Sequence, residues 1–161
     1  MRDIIVVGGG SAGLTAALYA ARAGKSVLVF EAENIGGQIT GTPQVDNYPG
    51  ISHMSGIQFA DSLYEQVLAL GVEIQLETVV GIEHFSEHQT VITDSGIHEC
   101  KAIILATGAK HRTLNLPREQ ELIGRGVSYC AMCDGAFYKN SPVAIVGGGN
   151  TAITDALFLA S

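Results

Sequence analysis

The chain has 161 residues, enough for one ordinary domain with a sizeable core. Its 47% apolar and 16% charged residues describe a globular, soluble protein rather than a disordered segment. A net charge of −7 without a basic block argues against nucleic acid as a ligand, and no apolar run approaches the ~18 residues of a membrane span.

The opening MRDIIVVGGG has too short an apolar run for a signal peptide. Three cysteines without such a signal point to a reducing, cytoplasmic setting, where a C-x-x-C is more often redox or metal chemistry than a staple.

Residues 3–7 (DIIVV) form a β-branched apolar run that stops at Gly8-Gly9-Gly10. Leu14, Ala17, Leu18 and Ala21 then recur at helical spacing until Gly24, and SVLVFE predicts a second strand ending in Glu31. Strand, glycine turn, helix and strand in that order make the βαβ unit of a parallel sheet.

Residues 32–54 read as a long loop, of the kind a compact domain keeps mainly for a ligand. A helix is predicted from Ser55 to about Leu70, opened by a Ser55/Gln58 capping box and closed by Gly71. Strands follow at VEIQ, TVVGIEHF, QTVITD and IHECKAIILAT, the last with an apolar stretch (Ala102–Ala106) suited to burial on both faces. Residues 110–118 look like a linker. A second unit then begins with VSYC, the cysteine pair, a predicted strand PVAIV, a second glycine turn and a helix starting near Asn150.

The first glycine motif is Gly8-x-Gly10-x-x-Gly13, between a strand and a helix, with Glu31 at the end of the next strand. Dinucleotide binding requires that context. One glycine permits the tight turn, one admits a pyrophosphate and one lets the helix pack closely, while the acid accepts ribose hydroxyls about 20 residues on. The helix N-terminus offers free N–H groups to the phosphates. A glycine turn serving helix–sheet packing alone is the bland alternative. Gly147-x-Gly149-x-x-Ala152 repeats the pattern after an apolar run and implies a second nucleotide site.

Cys130 and Cys133 stand two residues apart, with Asp134 behind them. Three readings are open: half a zinc site, with His98 and Cys100 as the only nearby candidates; inert buried thiols; or a redox pair. Asp134 favours the third, because a carboxyl beside the pair can donate a proton to a departing thiolate or take one from an attacking thiol. It is equally acceptable as a helix N-terminal acid. The five histidines look like surface or structural residues, and Cys100 like a small buried apolar one.

GGGSAG, IGGQIT, VDNYPG, ILATGA, GRGVSYCAMCDG and IVGGGNTA stand along the whole chain in the order found in the bacterial-type, low-molecular-weight thioredoxin reductases, which the sequence resembles. The one departure is Ala131-Met132 between the cysteines, where the family usually has Ala-Thr. The resemblance implies an α/β fold of two Rossmann-like, three-layer ββα dinucleotide-binding domains: an FAD-binding portion at residues 1–113 and the start of a truncated NADPH-binding domain at 114–161.

It implies FAD along Gly8, Gly10, Ser11, Ala12 and Gly13, with Glu31, Gly36, Gly37, Gln38 and Asn47 holding its adenosine and flavin parts, and Ala106, Thr107 and Gly108 approaching it. Gly147, Gly149, Asn150, Thr151 and Ala152 would begin the NADPH site. Cys133 would face the flavin, Cys130 would form the mixed disulfide with substrate, and Asp134 would move the proton. Electrons would run from NADPH through FAD and the Cys130–Cys133 disulfide to thioredoxin, in a homodimer. The family rotates one domain against the other, and the segment around Leu114–Arg118 resembles a connecting strand of that hinge.

The family's chains are longer than this one, so the expectation is a fragment with impaired FAD and NADPH binding. Related alternatives are a ferredoxin-linked reductase, against which the second glycine turn argues, and a dithiol oxidase. A non-catalytic, partner-binding fragment is the alternative of a different class.

Overall fold

The N-terminal apolar run forms β1 (Arg2–Val7) and breaks at the glycines because they admit backbone angles that a strand does not. Helix α1 (Ser11–Arg22) returns the chain to β2 (Val27–Glu31), which lies parallel to β1. This is a computed structural model, and it describes residues 1–160. A short 3-10 turn (Gly37–Gly41) interrupts the long loop before α2 (Gly56–Ala69). The capping box at the start of α2 is formed: Ser55 Oγ accepts from Gln58 N at 3.2 Å, and Gln58 Oε1 accepts from Ser55 N at 2.9 Å.

Four further strands complete the sheet: β3 (Glu73–Leu76), β4 (Val79–His84), β5 (Gln89–Thr93) and β6 (Ile97–Leu105). The order is β3-β2-β1-β6-β5-β4, parallel from β3 to β6 and antiparallel from β6 to β4. Strand β6 serves both halves. Cys100 pairs with Arg2 on one side and with Gln89 on the other.

Period-two alternation divides the core between the two faces. Val6, Val27 and Val29 pack with Leu14, Ala17 and Val67 of the helices, whereas Ile5, Val7, Leu28 and Phe30 pack with Val91 and Cys100. Each of the Val, Leu, Ile and Phe side chains, fully buried, contributes about 1.5–3 kcal/mol. Cys100 is fully buried, and burial pushes its thiol up, as suits a packing residue rather than a reactive one.

Two expectations are corrected. Beyond Cys100, β6 pairs with β1 alone and is not buried on both faces: Leu105 is 65% exposed. A strand is covered on both faces only where layers lie over it, and here it ends the parallel half of the described sheet. The run PVAIV forms no strand. Among the described residues of its unit nothing supplies a ladder partner, and Val146 is 69% exposed.

The chain divides into two units, Met1–Ala109 and Lys110–Ser161. In the second, the described elements are α3 (Glu119–Leu122), α4 (Ala131–Asp134), a 3-10 turn (Gly135–Tyr138) and α5 (Asn150–Leu159). No helix among the described residues is long and apolar enough to cross a membrane.

Candidate functional site

In the first unit, β1, β2 and β6 run parallel, so the segments following their carboxyl ends gather along one edge of the sheet. Gly8 follows β1 with φ +106°, and its N–H donates to Phe30 O at 2.7 Å. A Cβ on Gly8 would run into the Ala106 carbonyl, and one on Gly13 would strike the Gly8 carbonyl. These two glycines are therefore explained by the protein's own packing: the turn after β1 and the approach of α1.

Gly10 is not. A Cβ there would meet nothing closer than Gly36 O at 3.8 Å, an ordinary contact, so the chain itself leaves room for alanine. The open space lies at the start of α1, whose N-terminal N–H groups have no side-chain cap and no acid in the first turn. Ser11 and Ala12 are exposed there. Room for a close backbone approach together with free donors suits a phosphate.

Other sequence-predicted residues converge on the same edge. Glu31 Oε2 accepts from Gly9 N at 2.6 Å, and Oε1 accepts from Glu33 N at 2.8 Å. Gly36 N donates to Gly9 O at 2.8 Å, which draws the Gly36-Gly37-Gln38 segment against the turn. Gln38 Nε2 donates to Ala109 O, closing the segment onto the Ala106-Thr107-Gly108 stretch. Ala106 N in turn donates to Val7 O at 2.8 Å. Asn47 stands exposed on the loop that the Val45–Met54 bridge closes.

A cavity at this edge is lined by Gly8, Phe30, Glu31 and Thr107, and also by Glu77 and Val79. Sequence reasoning missed the last two. The signal was present: they follow the carboxyl end of β3, and the rule that singles out Gly8 and Glu31 applies to β3 as well.

In the second unit, Cys130 and Cys133 form a disulfide with Cα atoms 5.3 Å apart. Helix α4 starts at this pair. Cys133 N lies 3.2 Å from Cys130 Sγ and donates to it, and Asp134 N donates to Cys130 O at 3.1 Å. Ser128, which the sequence did not single out, organises the turn. Its Oγ accepts from Cys130 N at 3.1 Å and donates to Asp134 Oδ2 at 2.6 Å. Cys133 is exposed and Cys130 half-buried. Met132, where the sequence departs from the common pattern, is 74% exposed and meets no packing constraint.

The second glycine turn is more open than the first. Gly147 has φ +134°, while a Cβ on Gly149 would find no atom within 4 Å. Helix α5 begins without a side-chain cap, with Asn150 and Thr151 exposed and Ala152 half-buried.

The profile of the pyridine nucleotide-disulphide oxidoreductase family matches residues 2–161. The chain belongs to that family. Thioredoxin reductase from Streptomyces coelicolor is 44% identical to it over 162 aligned positions, covering 99% of this chain and 50% of that protein. A Pseudomonas fluorescens protein named glucosaminate ammonia-lyase is 43% identical, covering 98% of this chain and 50% of its own length. The crystal structure of thioredoxin reductase from Streptococcus pyogenes superimposes with a TM-score of 0.95 at 44% identity, covering 99% of this chain and 52% of that one. The chain thus spans about half the length of the pyridine nucleotide-disulphide oxidoreductases it matches. Its six-stranded sheet is that of the family's Rossmann-like FAD-binding domain.

Proposed function

We propose that this chain carries the flavin-binding turn and the redox disulfide of a thioredoxin-disulfide reductase, acting in the cytoplasm and as a homodimer. In this reading residues 1–113 belong to the FAD-binding domain, and residues 114–161 begin the NADPH-binding domain. The observation that carries it is the closed Cys130–Cys133 disulfide in a turn whose next residue is a carboxylate held by Ser128.

The residues at the first turn fit FAD. The space at Gly10 and the uncapped start of α1 suit its pyrophosphate, and Glu31 stands at the end of β2, where ribose hydroxyls are held. Gly36, Gly37, Gln38, Asn47, Ala106, Thr107 and Gly108 are assigned to the rest of that site, and Gly147, Gly149, Asn150, Thr151 and Ala152 to NADPH. When bound, FAD supplies the two-electron connection between NADPH and the disulfide.

The chain's own chemistry is thiol–disulfide exchange. Reduced Cys130 attacks a sulfur of the thioredoxin disulfide, forming a mixed disulfide and releasing one thioredoxin thiolate. Cys133 then attacks Cys130, closing the internal disulfide and releasing the second thiolate. The Cys133 N–H that now points at Cys130 Sγ is placed to favour a thiolate there, which suits the attacking sulfur. Asp134 is assigned the proton transfer.

The test uses the reduced chain with oxidised thioredoxin. Cys133→Ser should trap a mixed disulfide at Cys130, visible by mass spectrometry, and Cys130→Ser should trap none. Failure of the wild-type dithiol to reduce thioredoxin would overturn the reading. Fluorescence titration with FAD tests the other half, where Gly10→Ala, for which the chain has room, should weaken binding without unfolding the sheet.

A further inference from the structure

Glu119 is the only charged side chain that is buried among the described residues, at 4% exposure, and the exchange chemistry above does not use it. Its Oε1 accepts from Leu114 N at 2.9 Å and its Oε2 from Leu116 N at 3.1 Å. Those two N–H groups flank Asn115, which stands at φ +58°, a left-handed conformation that costs a non-glycine residue energy. Arg118, immediately before Glu119, stands at φ +64°. The carboxylate therefore holds a strained connecting segment in shape from its inner side.

The same carboxylate accepts a third hydrogen bond, from the Tyr129 hydroxyl. Tyr129 immediately precedes Cys130, and the His111 ring stacks on its face with centroids 4.6 Å apart and planes 2° from parallel. The Tyr129 hydroxyl and then the Leu114 N–H hold the Glu119 carboxyl below the usual carboxylate range, and the carboxylate pushes the Tyr129 phenol up. One buried anion thus joins the 114–116 segment to the residue beside the redox pair.

We propose that Glu119 and Tyr129 are positioning residues for the Cys130–Cys133 pair: their hydrogen bond restrains the backbone at Cys130 and keeps its sulfur within reach of Cys133. The proposal rests on the redox reading given above. Its physical content is an effective concentration. In the reduced form a tethered Cys130 samples fewer positions, so the entropy gained on opening the disulfide is smaller and the disulfide is favoured. Without the tether the pair should be easier to reduce. Ser128 restrains the same turn from the Asp134 side, and no variant below touches it.

The experiment equilibrates the chain in dithiothreitol redox buffers and measures the reduced fraction by alkylation and peptide mapping, which separates the pair from buried Cys100. Two electrons and two protons pass from dithiothreitol to the two sulfurs as its own ring disulfide closes. Tyr129→Phe, which retains the ring stacked on His111, should shift the equilibrium about three- to tenfold toward the dithiol, tenfold being about 30 mV for this two-electron couple. Glu119→Gln should shift it the same way. The double variant should move no further than the larger single, because both act on one hydrogen bond, which Tyr129→Phe deletes and Glu119→Gln weakens by removing the charge.

Unchanged constants in both single variants, or fully additive shifts, overturn the proposal while the wild-type pair still cycles. A wild-type pair that does not equilibrate with dithiothreitol at all sinks the redox reading and this proposal with it. Should Tyr129→Phe unfold the second unit, seen as loss of amide protection in α5, Glu119→Gln carries the test, since it retains an acceptor oxygen and the side-chain volume.

Discussion

The two units hold themselves together by different means. In Met1–Ala109, strands β1 and β2 send alternate side chains to two apolar clusters, and Ile5, Val6, Val29 and Phe30 are essentially inaccessible. In the unit from Lys110 onward, the only buried side chain among the described residues is the carboxylate Glu119. Val146, Ile153 and Leu157 are 69%, 56% and 70% exposed, and order there comes from turns, one disulfide and the hydrogen bonds at Glu119 and Ser128. The same glycine-turn motif thus sits on a packed sheet in one unit and on an open backbone in the other. Motif and scaffold are separable.

The widest contrast should come from core truncation. Phe30→Ala should cost about 3–5 kcal/mol, whereas Leu157→Ala at the exposed face of α5 should change stability by no more than about 0.5 kcal/mol. Chemical denaturation followed by circular dichroism measures both. Equal effects would erase the distinction between the units.

A sharper version substitutes the same motif position twice. Gly13→Val drives a side chain into the Gly8 carbonyl and should destabilise the first unit by about 1–3 kcal/mol or more. Ala152→Val, at the corresponding place in the open second turn, should be close to neutral. Thermal unfolding of the two variants side by side gives the answer.

Smaller again is the cap of α2. Ser55→Ala removes one arm of a formed capping box and should cost about 1 kcal/mol, read as a lower denaturation midpoint.

The last prediction concerns acid. Lys101 Nζ donates to Asp3 at 2.7 Å, and Ser26 donates to it through both its N–H and its hydroxyl, tying β1 to the start of β2 and to β6. Lys101 first, then Ser26, hold the Asp3 carboxyl well below its usual range. Because the folded-state value is depressed, the stabilisation is complete above the unfolded value of about 3.9 and is lost as pH falls below it. Asp3→Asn should remove this portion of the acid dependence in the first unit and leave α5 amide exchange unchanged.

Much of the first unit was legible from the sequence. The glycine triplet, Glu31 and the Ser55/Gln58 pair are short-range signals whose meaning depends on spacing alone, and their elements formed where the spacing put them. Glu77 and Val79 were missed at the cavity although the end of the VEIQ strand was legible, because only the strand order shows that β3 runs parallel beside β2. PVAIV failed as a strand for a related reason. Its β-branched composition suits a sheet, but a strand exists only through a neighbour's hydrogen bonds.

The site divides along the same line. Cys130, Cys133 and Asp134 declare themselves by adjacency. Ser128 and Glu119 do not, since what they do depends on where the chain turns back to meet them.

By itself, then, the sequence determined the local chemistry of this protein: two glycine turns, one cysteine pair and the periodicity of its helices and strands. Those follow from the geometry of a few neighbouring residues. Only the tertiary structure decided which carboxylate is buried, which apolar run finds a partner and which glycine is left uncrowded by the chain around it. Burial and ladder pairing join residues far apart in the chain, and no local pattern specifies them.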